Sequence, residues 1–321
     1  DGTGTDNVVI SGTGELQIQS DITTTDIVLT LGTGTWTNTA GTITYNCATV
    51  VSTSLLASLS PYYNLTINST GNTYTANGAI DVNGAFTLTA GTFARAANNL
   101  NVAGNFSLAL GTVYTYSGGS LIFDGAGSVT DSTAALQDLG AVQISSNSTR
   151  TQGSPIKLTS LTIDSGSTYD LAGYALSRVA SGAIANSGTF KLKGLAAETT
   201  LTNITNLGTA AGTVLYYGNN VAENLTIKDF GATDYFNLTI NDTNTNKATF
   251  ILGSALTTAG SITISSGTFN ANNLNITAQS MTVSGGIINL GSGTLTFIAG
   301  DSTVLTVNGG TFNADTSTVA F

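Results

Sequence analysis

The chain has 321 residues, 41% of them hydrophobic, which is enough to build a sizeable core and too many for a disordered polymer. Only 8% are charged, and the 8 basic residues (Arg95, Arg150, Lys157, Arg178, Lys191, Lys193, Lys228, Lys247) are scattered against 18 acidic ones, for a net charge of -10. That excludes a phosphate-neutralising surface, so nucleic acid and anionic membrane are not expected partners. Histidine is absent, which removes Ser-His-Asp and Cys-His catalysis and most zinc sites, and the single cysteine, Cys47, cannot form an intrachain disulfide.

No apolar run approaches the roughly 20 residues of a membrane helix, so membrane insertion is not expected. The start at Asp1, without an initiator Met or an apolar leader, reads as a processed or partial chain. Helix signals are nearly missing, because Gly, Thr, Ser and Asn interrupt every window before an apolar stripe with helical period develops. Short β-branched or aromatic segments predict strands in chain order at Val8 to Ile10, Ile27 to Leu31, Phe86 to Leu88, Ile262 to Ile264 and Leu295 to Phe297.

Two periods organise these strands. Gly84, Phe86, Leu88, Gly91 and Phe93 recur 20 residues later as Gly104, Phe106, Leu108, Gly111 and Val113. The pattern returns at Gly260, Ile262, Ile264, Gly267 and Phe269, then at Met281, Val283, Gly286 and Ile288, and again at Leu305, Val307, Gly310 and Phe312. A longer period sets Gly41–Tyr45 against Gly212–Tyr216 and Asn64–Asn68 against the identical Asn237–Asn241, at offsets of 171 and 173. Phe86 then matches Ile262 and Phe93 matches Phe269, while Leu100, Leu121 and Phe123 match Leu274, Leu295 and Phe297. We read this as an internal duplication of residues 41–130 in residues 212–304, with less regular rungs over 131–211, inside one continuous stack over 1–321.

Rungs of about 20 residues with alternating inward and outward side chains predict an all-β fold, an elongated right-handed parallel β-helix, or β-solenoid. Sixteen or so such rungs, stacked at about 4.8 Å, would make a rod on the order of 75 Å long. Tyr63-Asn64-Leu65-Thr66-Ile67, Gly91-Thr92-Phe93 with Asn99-Leu100-Asn101-Val102, and Gly267-Thr268-Phe269-Asn270-Ala271-Asn272-Asn273-Leu274 resemble the degenerate repeats of bacterial surface proteins, namely autotransporter passengers and filamentous-haemagglutinin-like adhesins. The resemblance implies secretion, exposure at the cell surface and a structural or adhesive role, and it transfers no functional residue.

No catalytic, cofactor or metal site is predicted. The acids are mostly isolated, and close pairs such as Asp21/Asp26, Asp164/Asp170 and Asp229/Asp234 sit beside turn residues and read as solvated turn carboxylates, although a carbohydrate-active β-helix would need such pairs. Asp1 to Val8 partly matches a Gly-x-Gly-x-Asp calcium repeat, in a single copy that reads as a turn. Nine sequons begin at Asn64, Asn68, Asn105, Asn147, Asn203, Asn224, Asn237, Asn241 and Asn275. Tyr62/Tyr63, Tyr114/Tyr116, Tyr216/Tyr217 and Tyr235/Phe236 read as core and ladder packing ahead of sugar platforms. Threonines at 33, 35, 37 and 39 suggest an ice-binding rank, but the outward pairs Thr87/Thr89, Ser107/Ala109, Thr263/Ser265 and Thr306/Asn308 are too mixed for a regular plane. The strand-like ends, Asn7 to Ile10 and Thr318 to Phe321, predict end-to-end self-association, with surface glycans as the other expected partner.

Overall fold

Alternation along each strand dictates the architecture, since every second residue is apolar and needs a core while its neighbour is polar and needs water. The computed structural model describes residues 8–10, 12–19, 36–47, 52–299 and 303–321. Strands hold 51% of the chain and helix 2%, in parallel sheets stacked as a β-solenoid of about 13 turns with about 21 residues per turn. There are fewer turns than the sixteen expected. Excursions without strands, such as residues 132–140 and 228–234, use residues that a bare rung would not. Two compact units divide the chain, Asp1–Leu161 and Thr162–Phe321.

In the first unit the main sheet runs Glu15–Ile18, Thr42–Tyr45, Asn64–Ala76, Phe86–Ala94, Phe106–Leu108, Gly127–Asp131 and Thr149–Gln152, each strand parallel to the next. Its inward column is Ile43, Leu65, Phe86, Phe106 and Val129, all at most 1% exposed. The Phe86 and Phe106 rings stack at 5.2 Å between centroids. Burying one such side chain stabilises by about 2–3 kcal/mol, so the column is the main source of cohesion from turn to turn. A second sheet pairs Ile80–Val82, Leu100–Val102, Ser120–Phe123 and Ala141–Ile144. Phe86 pairs with Phe106 and Leu88 with Leu108, in the predicted register, but Phe93 pairs with Tyr114 and not with Val113. The turn after Gly111 is one residue longer than the turn after Gly91, which rotates Val113 outward to 42% exposure.

In the second unit Thr168–Asp170, Thr189–Leu192, Thr213–Tyr216, Asn237–Asn241, Ser261–Ser266, Ser280–Val283 and Leu305–Val307 form the equivalent path. Two further parallel sheets complete the later turns, one through Thr249–Leu252, Thr268–Asn270 and Ile287–Asn289, the other through Ile276–Ala278 and Thr294–Phe297. Leu295 stacks on Ile276, so Leu274, matched to Leu100 in the sequence, stands in the turn before that strand. One short helix, Ala196–Thr200, interrupts the β pattern.

Candidate functional site

Strand register turns the outward threonines into columns. In the first unit Thr44, Thr66, Thr87, Ser107 and Thr130 stand on five successive turns. In the second, Thr239, Thr263, Thr282 and Thr306 stand on four. All but Thr44 are half-buried, with hydroxyls directed away from the core at the strand spacing of about 4.8 Å. The adjacent columns are mixed: Asn237, Ser261 and Ser280 in the second unit, Thr42 and Asn64 in the first. The first members of the outward pairs, Thr87 and Ser107 in the first unit and Thr263 and Thr306 in the second, thus fall in these columns once the register is known.

The asparagines among them brace the stack. Asn64 Oδ1 accepts from Ala85 N, Asn105 Oδ1 from Ser128 N, Asn237 Oδ1 from Ser261 N and Asn275 Oδ1 from Thr294 N, each at 2.9 Å. Each amide oxygen takes the place of a backbone carbonyl toward the next turn, so four of the nine sequons have a structural use.

A polar groove lies in the second unit, between the helix Ala196–Thr200 and the strand Asn224–Ile227. The helix is organised by Glu198, whose buried carboxylate accepts from Gly173 N at 2.7 Å, Gly194 N at 2.8 Å and Leu195 N at 3.1 Å. Burial raises the Glu198 pKa above the ordinary carboxylate value, and those N–H donors offset only part of the rise. A depression of about 440 Å³ is lined by Thr199, Thr226, Lys228, Asp229 and Ser254. A second, of about 420 Å³, shares Thr199 and Thr226 and continues toward Glu223.

No family model, curated protein or solved structure matches the chain.

Asp229 and Asp234 are brought together at the end of this groove, with environments that drive their pKa values apart. The Ser254 hydroxyl and Gly231 N hold Asp229 low, while burial raises Asp234. Such a split pair can in principle divide acid and base roles. Asp234, however, is 1% exposed, and its two oxygens accept from Phe230 N and Thr257 N, both at 2.8 Å. It braces the loop and does not open to the groove. Asp229 and Lys228 present charge at this end of it, and Glu223 at the other.

The other flagged residues are distributed. Asp21, Asp26, Thr33, Thr35 and the motif from Asp1 to Asn7 lie outside the described residues. Asp170 does not work with Asp164: its Oδ2 pairs with Lys191 Nζ at 3.2 Å and its Oδ1 accepts from the Tyr217 hydroxyl at 2.9 Å. Tyr62, Tyr114, Tyr216 and Tyr235 are buried and their neighbours half-buried, so no doublet forms a sugar platform. Cys47 is buried. Among the described residues no three His, Cys, Asp or Glu side chains converge as metal ligands, and no helix is long and apolar enough to cross a membrane.

Several buried charges, Arg95, Arg150, Glu198 and Asp242 among them, had no sequence signal beyond position. Arg150, 0% exposed, follows the inward parity of Gln152 and stands opposite Gly127, which leaves it room. Its guanidinium donates to the carbonyls of Val102, Gly104, Gly125 and Ser128 on the two preceding turns and lies 4.1 Å from the Phe123 ring centroid. Arg95 and Glu198 are equally buried.

Proposed function

We propose that this chain is an extracellular, cell-surface structural and adhesive repeat protein, whose uncharged outward columns contact surface glycans and whose turns associate end to end. The observation that carries the reading is the threonine column at strand spacing. Identical neutral hydroxyls repeated along one axis suit a partner that repeats along an axis, as polysaccharides do. Each hydroxyl both donates and accepts, so a row of them can pair with sugar hydroxyls without a charge to desolvate. End-to-end association follows the same logic, because a further turn needs only parallel pairing with matching inward residues. The test is a glycan array probed with labelled protein, with sedimentation velocity on the same sample. Binding to neutral polysaccharides and concentration-dependent growth support the proposal, whereas a monomer that binds no neutral glycan contradicts it.

The second reading is a carbohydrate-active enzyme, favoured by the split Asp229/Asp234 pair beside the polar groove. Release of reducing ends from a polysaccharide panel, abolished in Asp229→Asn, would establish it. The threonine columns also suit an ice-binding surface, a reading that thermal hysteresis of the purified protein separates from adhesion.

A further inference from the structure

The strand Asn224–Ile227 is the outer strand of its sheet, paired with Thr249–Leu252 on one side only. Thr249 N donates to Glu223 O at 2.8 Å, and by the alternation of a parallel ladder Leu225 and Ile227 face Thr249–Leu252 as well. The N–H and C=O groups of Asn224 and Thr226 therefore point the other way, and none of the four meets a partner among the described residues. Both side chains are exposed.

The edge is open because the preceding turn supplies a helix where the following turns supply strands. After Asn237–Asn241 and Ser261–Ser266 the chain continues into Thr249–Leu252 and Thr268–Asn270, whereas after Thr189–Leu192 it forms the helix Ala196–Thr200. Glu198 fixes that exchange, since its carboxylate accepts from Gly194 N and Leu195 N and also from Gly173 N one turn earlier. A helix cannot pair with a strand edge, because its own N–H and C=O groups run along its axis. The polar groove separates the two, with Leu195, Ala196 and Thr199 on the helix side and Asn224 and Thr226 on the strand side.

The chemistry of this edge selects an occupant. Two donors and two acceptors recur along it at about 6.6 Å, twice the rise of a parallel strand, and an extended backbone presents the complementary series. Thr199, Thr226 and Ser254 line the groove with neutral hydroxyls, so a neutral segment meets no charge to desolvate along most of its length. Glu223 lies beside Asn224, at the N-terminal end of the strand. The ladders of the neighbouring turns are parallel, and a segment added in that sense brings its first residue to Glu223. A lysine or arginine there complements the carboxylate.

We propose that the Asn224–Ile227 edge binds an extended polypeptide segment by β-augmentation, in the groove that the helix leaves without a strand. The segment runs parallel to the edge and exchanges backbone hydrogen bonds with Asn224 and Thr226. It is neutral and β-branched in its middle and carries a basic residue opposite Glu223.

The test is binding of the full chain to a synthetic hexapeptide library with lysine first and threonine, valine, serine or asparagine after it, read by fluorescence anisotropy and amide hydrogen exchange. The expected result is saturable binding that slows exchange at Asn224 and Thr226. Methylating the alternate peptide nitrogens that face the edge should weaken binding about tenfold or more, while methylating the intervening ones should not. Glu223→Gln should weaken lysine-first peptides and leave alanine-first ones unchanged. No saturable binding across the library, unchanged exchange at Asn224 and Thr226 in the saturated complex, or equal loss from both methylation patterns would overturn the proposal. Displacement of the peptide by a neutral oligosaccharide would overturn it too, and would assign the groove to sugar.

Discussion

Tyr45 and Tyr62 meet hydroxyl to hydroxyl at 3.0 Å inside the first unit, and together they clasp the backbone of Leu56, whose N–H donates to Tyr45 Oη and whose carbonyl accepts from Tyr62 Oη. The second unit contains the same construction: Tyr216 and Tyr235 meet at 3.0 Å and clasp Lys228 in the same sense. Corresponding residues are displaced by 171 to 173 positions (45 to 216, 56 to 228, 62 to 235), the offset of the duplication read from the sequence. Each clasp pins an excursion of the chain to the core, where an unpaired hydroxyl or N–H would be costly.

Tyr45→Phe and Tyr216→Phe should therefore behave alike. Each leaves a backbone N–H without its acceptor and its partner hydroxyl with one bond fewer, at a cost of about 1–3 kcal/mol. Amide hydrogen exchange suits a stacked repeat, whose unfolding need not be two-state. Faster exchange at Leu56 in the first variant and at Lys228 in the second is expected, and unchanged protection at either site would show that its clasp is not stabilising.

Arg150 ties its own turn to the two before it, so Arg150→Met should destabilise the first unit by on the order of 3 kcal/mol through the carbonyls it strands. Lysine should not rescue the loss, because a single ammonium cannot span carbonyls on two turns. Thermal melts of both variants decide the point, and a lysine variant as stable as the wild type would refute it.

Glu198 gives the second unit a pH dependence of definite sign. Its folded pKa is raised, so the folded state binds its proton more readily than the unfolded chain. This contribution to stability is fully present below the ordinary carboxylate pKa and is lost as pH rises through the folded value. Glu198→Gln should flatten that slope. It should also lower stability by about 1–3 kcal/mol, since an amide replaces one of two acceptor oxygens by a donor facing backbone N–H groups. Denaturation across the acidic range measures both, and an unchanged slope in the variant would assign it to other groups.

The fold was legible because apolar parity and rung spacing repeat the same constraint many times over. Phe86 with Phe106 and Ile264 with Val283 follow from parity alone. What parity could not give was turn length: one extra residue after Gly111 moved the core role from Val113 to Tyr114, and a longer turn before Ile276 displaced Leu274. The candidate site was less visible. The threonine columns need the register across four or five turns, which no single rung reveals. Arg95, Arg150 and Glu198 are charged residues whose burial depends on a facing glycine or an available carbonyl or N–H, and such relations between turns have no period in the sequence.

The adhesive role stands or falls on the columns. Valine keeps the branched shape and suits a strand, so Thr66→Val with Thr87→Val, and Thr263→Val with Thr282→Val, should leave the fold intact while removing two hydroxyls from each column. Two lost hydrogen bonds of about 1 kcal/mol each correspond to at least a tenfold weakening. Equilibrium binding of the wild type and both double variants to an immobilised neutral polysaccharide, with thermal melts alongside, is the decisive measurement. The account predicts wild-type binding that weakens about tenfold or more in the variants at unchanged melting temperature. Equal binding by all three proteins, or none by the wild type, would contradict it.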